Sequence, residues 1–166
     1  LVDSLSFTLN DGERLALIGE EGNGKSTLLR VLAGDPSVES YIEVSGSFSC
    51  RDSTAYLPQE LPESERALSA YDFFCMSPVF FDQSPRELGE LAARLSLLAD
   101  AFYSDQLMQT FSGGERVKLQ LARLLMSNPT TLLLDEPTND LDSDSVLWLE
   151  NFLLSCKLTV LFVSHD

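Results

Sequence analysis

Residues 19–26 read Gly-Glu-Glu-Gly-Asn-Gly-Lys-Ser, and they fit the phosphate-loop pattern G-x-x-x-x-G-K-[ST]. The glycines allow the backbone to curl until successive N–H groups converge on an anion, and a helix that follows adds the positive end of its dipole. Lys25 is expected to reach the β- and γ-phosphates of a nucleotide, and the Ser26 hydroxyl is expected to bind Mg²⁺. Glu20 and Glu21 can still contribute their backbone amides if their carboxylates point to solvent. This stretch therefore predicts a polyphosphate site.

The segments on either side of this loop have the pattern that the loop requires. Leu15–Ile18 is a short apolar run, which predicts a buried strand before the loop. Lys25–Ala33 has a helical pattern, and Gly34 and Pro36 are typical of the end of a helix. Further out we predict an alternating strand around Leu5, Phe7 and Leu9, a hairpin turn at Asn10-Asp11-Gly12, and strands at Tyr41–Phe48 and Thr54–Leu57.

The last third of the chain alternates between helical patterns and continuous apolar strands. The predicted elements are a helix over 113–126, a strand at Thr131–Leu134, a helix near 143–154 and a strand at Leu158–Val163. Continuous apolar strands between helices indicate a parallel sheet that is covered on both faces. We therefore predict an α/β fold, namely a P-loop NTPase with a mostly parallel sheet, N-terminal antiparallel strands and a helical insert.

The helical insert is expected at residues 60–110, as a subdomain of one domain that spans residues 1–166. Ser84 to Glu87 form a capping box with proline at the first helical position, and the apolar face of that helix runs to Leu98. An earlier helix is expected over Ala67–Met76. Residues 60–109 contain nine acidic residues and three arginines. We interpret them as an ordinary solvated acidic surface rather than a docking face.

The composition excludes several classes of protein. Asp and Glu number 26 against 11 Lys and Arg, and the net charge of −15 disfavours unaided binding of nucleic acid, duplex included. Because no apolar run approaches the ~18 residues that span a bilayer, no membrane insertion is expected. Cys50, Cys75 and Cys156 are widely spaced, and His165, the single histidine, cannot complete a zinc site with them. We expect reduced, buried cysteines and a cytoplasmic location.

Two carboxylates, Asp135 and Glu136, directly follow the apolar strand. In open α/β sheets the ligand crevice lies at the carboxyl ends of the strands. Asp135 is expected to help hold Mg²⁺, directly or through water, and Glu136 to polarise or deprotonate the attacking water. An acidic pair after a strand is by itself more often a turn, but together with the phosphate loop it indicates an NTPase.

A third motif, Ser112-Gly113-Gly114-Glu115, opens the next predicted helix. The serine and the glutamate have the S-x-x-E spacing of a capping box. A cap does not require two consecutive glycines, whose flexibility is costly at a helix start. Two bare amides at a helix N-terminus therefore predict a second anion site.

Five motifs, in chain order, resemble those of an ABC-type ATPase domain: the phosphate loop, Tyr56-Leu57-Pro58-Gln59, the glycine motif, the acidic pair and Val163-Ser164-His165-Asp166. The resemblance covers nearly the whole chain and implies ATP and Mg²⁺ as cofactors. It implies that Gln59 contacts Mg²⁺ and couples the helical insert to the nucleotide, and that His165 is the switch histidine near the γ-phosphate.

The resemblance also implies that Ser112, Gly113 and Gly114 bind the γ-phosphate of a nucleotide held by a second, facing domain, with Asp142 at the interface. The aromatic residue on which such domains stack adenine would precede the first residue here. The candidate catalytic residues are thus Glu136, His165 and Gln59, and the candidate metal ligands are Ser26, Gln59 and Asp135. The candidate nucleotide-binding residues are Gly19, Glu20, Glu21, Gly22, Asn23, Gly24, Lys25, Ser26, Thr27, Ser112, Gly113, Gly114 and Glu115.

Within the family, the chain is most similar to the ABC-F branch. The similarity rests on Gly113–Arg116, Pro137–Asp142, Trp148–Glu150 and the histidine motif. It implies a second ABC domain as partner, in the same parent chain or as a homodimer, and a client such as the ribosome, in translation or antibiotic resistance. Both ends of the sequence are interpreted as cut from a longer protein. The alternatives are the ATP-binding subunit of a membrane transporter and a degenerate ATP-dependent interaction module.

Overall fold

A computed structural model describes residues 5–49 and 53–165 of the chain, which form four strands and six α-helices. The predicted α/β class is confirmed. In chain order the elements are β1 (Arg14–Ile18), α1 (Lys25–Leu32), β2 (Thr54–Leu57), α2 (Glu63–Arg66), α3 (Ala70–Cys75), α4 (Pro85–Arg94), α5 (Gly113–Leu125), β3 (Thr131–Asp135), α6 (Ser143–Ser155) and β4 (Thr159–Ser164). Short 3₁₀ segments lie at Pro36–Ser40, Pro78–Asp82, Ala101–Tyr103 and Met108–Thr110.

The four strands form one parallel sheet in the order β1-β4-β3-β2. The inner strand β3 is buried along nearly its whole length, and Leu132, Leu133 and Leu134 are at most 2% exposed. Helix α1 packs Leu29 into a cluster with Leu133, Leu161 and Val163. Burial of each such side chain stabilises the fold by about 1.5–3 kcal/mol. Strands that are covered on both faces appear in a sequence as continuous apolar runs, as these do.

The parallel arrangement brings four motifs to the same edge of the sheet. The phosphate loop follows β1, Gln59 follows β2, Glu136 follows β3 and His165 follows β4. Because the carboxyl ends of parallel strands lie at one edge, residues that are far apart in sequence become neighbours there.

The chain divides into two compact units. The first contains the sheet and α1 and is built from the described parts of residues 1–59, 129–137 and 157–166. The second is helical and is built from residues 60–128 and 138–156. Its core contains Phe73, Phe74, Phe102 and Met108, which are fully buried, and the rings of Phe74 and Phe102 are 4.9 Å apart between centroids in an edge-to-face arrangement.

The expected N-terminal antiparallel strands are wrong for the residues that the structure describes. Residues 5–10 and 41–49 form no strand, although residues 1–4 lie outside the described part. Leu5 is 47% exposed, and Tyr41 and Val44 are each 56% exposed. Alternating side chains form a stable strand only when a neighbouring strand accepts their backbone hydrogen bonds, and no such neighbour is present among the described residues. The turn at 10–12 does form, because Glu13 N–H donates to Asn10 O at 3.0 Å and Gly12 has φ 75°, but it leads into β1 and not into a hairpin.

Two predicted helices in the second unit are shorter than their apolar patterns. The helix expected over Ala67–Met76 is shortened to α3, because the Ser69 side chain accepts from Asp72 N–H and caps its start, and the separate helix α2 ends before the predicted range. The helix after the Ser84 capping box ends at Arg94, because Ser96 has φ 54°, and Leu98 is then 77% exposed. Capping therefore decided these boundaries more than hydrophobic periodicity did.

Candidate functional site

Lys25 joins the two ends of the phosphate loop by hydrogen bonds to carbonyl oxygens at its start. The Lys25 ammonium donates to Gly19 O at 2.5 Å and to Glu20 O at 2.8 Å. Gly22 and Gly24 have φ 80° and 78°, values that a residue with a Cβ rarely adopts. Glu20 and Glu21 are exposed, as the sequence required if their amides are to line the loop. Helix α1 begins at Lys25, so its free N–H groups and its positive dipole end lie at the same place.

A buried carboxylate links this loop to the end of β3. Asp135 is 1% exposed, and its Oδ1 accepts a hydrogen bond of 2.8 Å from the Ser26 hydroxyl. Ser26 and Asp135 are 109 positions apart in the chain, and both were predicted to hold the metal. The structure brings these two predicted ligands together.

The second oxygen of Asp135 is held by a residue to which no role was given beforehand. The Tyr56 hydroxyl donates to Asp135 Oδ2 at 2.9 Å. Burial is the main cause that raises the pKa of Tyr56 to about 12, with the charge of Asp135 acting in the same direction. The hydroxyl thus stays protonated as a donor, and a hydrogen bond with Tyr56 raises the pKa of Arg30. Tyr56 precedes Gln59 by three residues, but no sequence pattern indicated that its hydroxyl would reach the acidic pair.

The proposed catalytic pair is also assembled. Glu136 is 7% exposed, and its Oε2 lies 2.8 Å from His165 Nδ1. With a proton on Nδ1, the imidazole donates to the carboxylate. The backbone of Glu136 has φ 47°, and its N–H donates to Val163 O at 3.1 Å, which holds it beside β4. A left-handed conformation at a non-glycine residue is uncommon, and it persists where the surrounding structure imposes it, often at functional sites.

Gln59 is exposed two residues beyond the end of β2. It lies at the functional edge of the sheet, but it takes no part in the Ser26–Asp135–Tyr56 group. The Gln59 contact with Mg²⁺ and its coupling to the helical unit remain predictions.

The glycine motif of the second unit has a structural role of its own. Ser112 and Glu115 form the predicted capping box, in which Glu115 Oε2 accepts from Ser112 N–H at 3.0 Å and from the Ser112 hydroxyl at 2.8 Å. A Cβ at Gly113 would collide with the carbonyl oxygen of Asp140, and a Cβ at Gly114 would collide with the Ser145 hydroxyl. The two glycines therefore allow the start of α5 to pack closely against the start of α6, besides any role in binding an anion.

The start of α6 is also capped. The Asp142 carboxylate accepts from Ser145 N–H at 2.8 Å, and hydrogen bonds with the Ser145 side chain and backbone lower the pKa of Asp142. In the structure Asp142 is the N-cap residue of α6, while its place at a domain interface, which the resemblance implied, remains a prediction. Ser145, which touches both Asp142 and the space beside Gly114, was not singled out by any motif.

The donor groups of the first unit fit Mg²⁺ and a polyphosphate. Mg²⁺ prefers oxygen ligands, and the Ser26 hydroxyl and the Asp135 carboxylate already converge there. The polyphosphate requires cations and amides, which Lys25 and the start of α1 provide. Among the described residues no cluster of three or more His, Cys, Asp or Glu side chains forms a separate metal site.

Comparison with known proteins decides the family. The sequence model of the family described as "ABC transporter" matches residues 2–139. The chain belongs to this family. The predicted family is thereby confirmed, and the matched residues include the phosphate loop, the acidic pair and the glycine motif.

Two relatives show where in the family the similarities lie. The ABC chain is 36% identical over 170 residues to elongation factor 3 of Pneumocystis carinii, covering 100% of this chain and 15% of that protein. It is 35% identical over 199 residues to ABC transporter F family member 4 of Arabidopsis thaliana, covering 100% of this chain and 28% of that protein. The chain therefore spans less than a third of either relative.

Solved structures of ABC proteins share the fold. An ABC transporter of metal-chelate type in an inward-facing conformation is 29% identical with a TM-score of 0.76, and the match covers 98% of this chain and 66% of that one. The archaeal ribosome recycling factor aABCE1, solved with the ribosomal stalk protein aP1, is 25% identical with a TM-score of 0.66, covering 95% and 30%. In the described part of this ABC chain, no helix has the length and hydrophobicity needed to cross a bilayer.

Proposed function

We propose that this chain binds ATP with Mg²⁺ and hydrolyses it as one ATPase domain of an ABC-F-type protein. The observation that carries the proposal is the convergence of Ser26, Asp135, Glu136 and His165 at one edge of the sheet, within hydrogen-bonding distance in pairs. Membership of the ABC family and the similarity to an F family member support it.

Each residue has a role that follows from its position. Lys25 and the amides of residues 19–27 hold the β- and γ-phosphates, while Ser26 and Asp135, with Gln59, hold Mg²⁺. When bound, Mg²⁺ offsets the negative charge of the phosphates. Glu136 orients the attacking water and accepts its proton. His165 fixes the Glu136 carboxylate through the 2.8 Å contact and lies near the γ-phosphate.

The site is expected to need a second ABC domain. Ser112, Gly113, Gly114 and Glu115 lie in the helical unit and would bind the γ-phosphate held by the partner domain. Two such domains, in one chain or as a homodimer, would close face to face on ATP and open after hydrolysis. Closure would perform the mechanical work in the cytoplasm, and the ribosome is the client that we infer, in translation or antibiotic resistance. The similarities to elongation factor 3 and to aABCE1 support this client.

The experiment is co-sedimentation of the full-length Glu136→Gln protein with ribosomes, in ATP and in ADP, with a membrane pellet analysed in parallel. Loss of the base should trap the closed, ATP-bound state, so we expect pelleting with ribosomes in ATP only. Glu150→Gln is the matched control, because Glu150 is an exposed carboxylate on α6. Equal pelleting in ATP and ADP, or none, would contradict the ribosomal client.

The second candidate function is the ATP-binding subunit of a membrane transporter. It is favoured by the 0.76 TM-score with a transporter of metal-chelate type. Recovery of the Glu136→Gln protein with membranes alone, in the same experiment, would support this function and exclude the ribosome as client.

A further inference from the structure

Three exposed aromatic rings of the helical unit pack against the same buried ring, that of Phe80. Phe81 is 66% exposed, Tyr103 is 54% exposed and Tyr71 is 40% exposed. Each ring centroid is within 6.3 Å of the centroid of Phe80, at 5.6, 6.1 and 6.3 Å respectively. We call Tyr71, Phe81 and Tyr103 the aromatic patch. Adjoining exposed rings of this kind are uncommon on a surface that contacts only water, and they are typical of protein interfaces.

The aromatic patch rests on the core of the same unit. Phe80 is 5% exposed and packs against Phe74, with ring centroids 5.7 Å apart. Tyr71 N–H donates to Ser104 O at 3.1 Å, which ties α3 to the segment that carries Tyr103. A surface held in this way loses little conformational entropy when a ligand binds, so little of the interaction free energy is offset by ordering the surface.

The segments that carry the aromatic patch contain only negative charges, and the nearest cations in sequence are Arg66 and Arg86. Residues 67–85 and 95–115 contain five carboxylates and no Lys or Arg. Asp72 adjoins Tyr71, Asp82 adjoins Phe81, and Asp105 lies two residues after Tyr103. Exposed rings can also stack on the bases of single-stranded nucleic acid, but that function needs a basic groove for the phosphates. These carboxylates would repel phosphates and attract a cation.

The same unit already contains a cation held between a ring and a carboxylate. The Arg123 guanidinium carbon lies 3.7 Å from the centroid of Phe73, and Arg123 Nη2 donates to Glu65 Oε2 at 2.7 Å. A planar guanidinium can stack on a ring and donate sideways to a carboxylate at the same time, whereas an ammonium is a point charge. The aromatic patch provides exposed rings, and the exposed carboxylates Asp82 and Asp105 lie close to them in sequence.

We propose that the aromatic patch binds an arginine-rich segment of a partner protein. Arginine side chains stack on Phe81 and Tyr103 and pair with Asp82 and Asp105. The site lies in the helical unit and needs no nucleotide, so it goes beyond the proposed ATPase function.

The test is fluorescence anisotropy of the full-length protein with a labelled decapeptide of alternating arginine and glycine. The same length of alternating lysine and glycine, of alternating glutamate and glycine, and a single-stranded oligouridine are the comparison ligands. We expect binding of the arginine peptide that weakens with salt, weaker binding of the lysine peptide, and no binding of the other two.

Variants distinguish binding at the aromatic patch from attraction of the peptide by the overall negative charge of the protein. Phe81→Ala combined with Tyr103→Ala should weaken binding of the arginine peptide about tenfold, because two exposed cation–ring contacts are lost. Leu98→Ala is the matched control, because Leu98 is 77% exposed in the same unit and belongs to no ring cluster. Asp82→Asn should weaken binding, while Glu63→Gln, at an exposed carboxylate of α2, should not.

Three results would overturn the proposal: equal binding by the double variant and the wild type, equal binding of the lysine and arginine peptides, or tighter binding of the oligouridine. Far-ultraviolet circular dichroism of each variant shows that it is folded. ATP-dependent pelleting with ribosomes is measured separately, so failure of the peptide test and failure of the ATPase proposal are distinguishable.

Discussion

At the scale of single residues, the two adjacent carboxylates Asp135 and Glu136 have different surroundings although both are buried. Asp135 accepts hydrogen bonds from two hydroxyls, those of Ser26 and Tyr56, while Glu136 faces the imidazole of His165. Hydroxyl donors hold a carboxylate in place as an oxygen ligand. An imidazole that can exchange protons suits a carboxylate that takes a proton from water. These surroundings are consistent with the roles that we propose, metal binding for Asp135 and proton acceptance for Glu136.

Glu136→Gln should retain ATP binding and lose most hydrolysis, because the amide is close in shape but cannot accept a proton. The expected decrease in kcat is about 10²- to 10⁴-fold. Phosphate release and filter binding of labelled ATP measure the two properties. Turnover equal to the wild type in the complete protein would contradict the role of Glu136.

Tyr56→Phe should leave the Asp135 carboxylate less firmly positioned. It removes one of the two hydroxyl groups that donate to this carboxylate, which is 1% exposed. Loss of a hydrogen bond to a buried charged group costs about 1–3 kcal/mol in the free energy of unfolding. We also expect the Mg²⁺ concentration for half-maximal ATPase activity to rise. Tyr103→Phe removes an exposed hydroxyl and is the control for both measurements; an unchanged Mg²⁺ dependence would show that Tyr56 does not position Asp135.

At the scale of elements, side-chain caps explain where four of the six helices begin. Serines cap α3, α4 and α5, and Asp142 caps α6. The boundaries of α4 and α5 at their N-termini were predicted because S-x-x-E is visible in sequence. The start of α3 was predicted at Ala67 instead of Ala70, because Ser69 caps through Asp72 and lacks the glutamate of the full motif, and α2 was not predicted.

Gly114→Ala should destabilise the helical unit, since its Cβ would collide with the Ser145 side chain at the α5–α6 contact. Overpacking of this kind costs about 1–3 kcal/mol in the free energy of unfolding, measured by urea denaturation. Ser145→Gly should restore part of the loss. Gly89→Ala in α4 is the control, because no atom lies within 4 Å of a Cβ placed there, and alanine should be neutral or stabilising. Equal effects of Gly114→Ala and Gly89→Ala would exclude the packing role.

Asp142→Asn should make the cap of α6 insensitive to acid. The pKa of Asp142 is lowered in the folded state by its hydrogen bonds with Ser145, so its ionised form stabilises the fold above the pKa of the unfolded chain. That stabilisation is lost as the pH falls through the lowered pKa. Melting temperatures of the wild type and Asp142→Asn should therefore converge towards low pH, and a constant difference would contradict the role of the carboxylate.

At the scale of the whole molecule, the composite nature of the proposed site governs activity. The glycine motif of each domain would serve the nucleotide of its partner, so a single copy holds half of what each site needs. The 166-residue chain should therefore hydrolyse ATP weakly, with specific activity that increases with protein concentration. Steady-state phosphate release over a dilution series measures this, and vigorous activity that is independent of dilution would contradict the paired site.

The negative charge of the chain could be counted from sequence, but its arrangement could not. The acidic segment 60–109 predicted only a solvated surface. The structure adds three exposed rings from α3, 78–82 and 101–103, which lie up to 32 positions apart in the chain and meet because they surround Phe80. A contact between segments that are distant in sequence produces no periodic pattern, so the aromatic patch could not be predicted from the sequence.

By itself, the sequence determined the α/β class, the four parallel strands, the phosphate loop, the acidic pair and the capped glycine motif. These features depend on local spacing and on continuous apolar runs, which residues within about one element of each other specify. Only the tertiary structure decided that Tyr56 holds Asp135, that His165 reaches Glu136, that the glycines make room for Asp140 and Ser145, and that residues 5–10 and 41–49 remain without strand pairing. Those outcomes depend on which distant segments meet and which backbone groups find partners, and packing of the complete chain alone sets them.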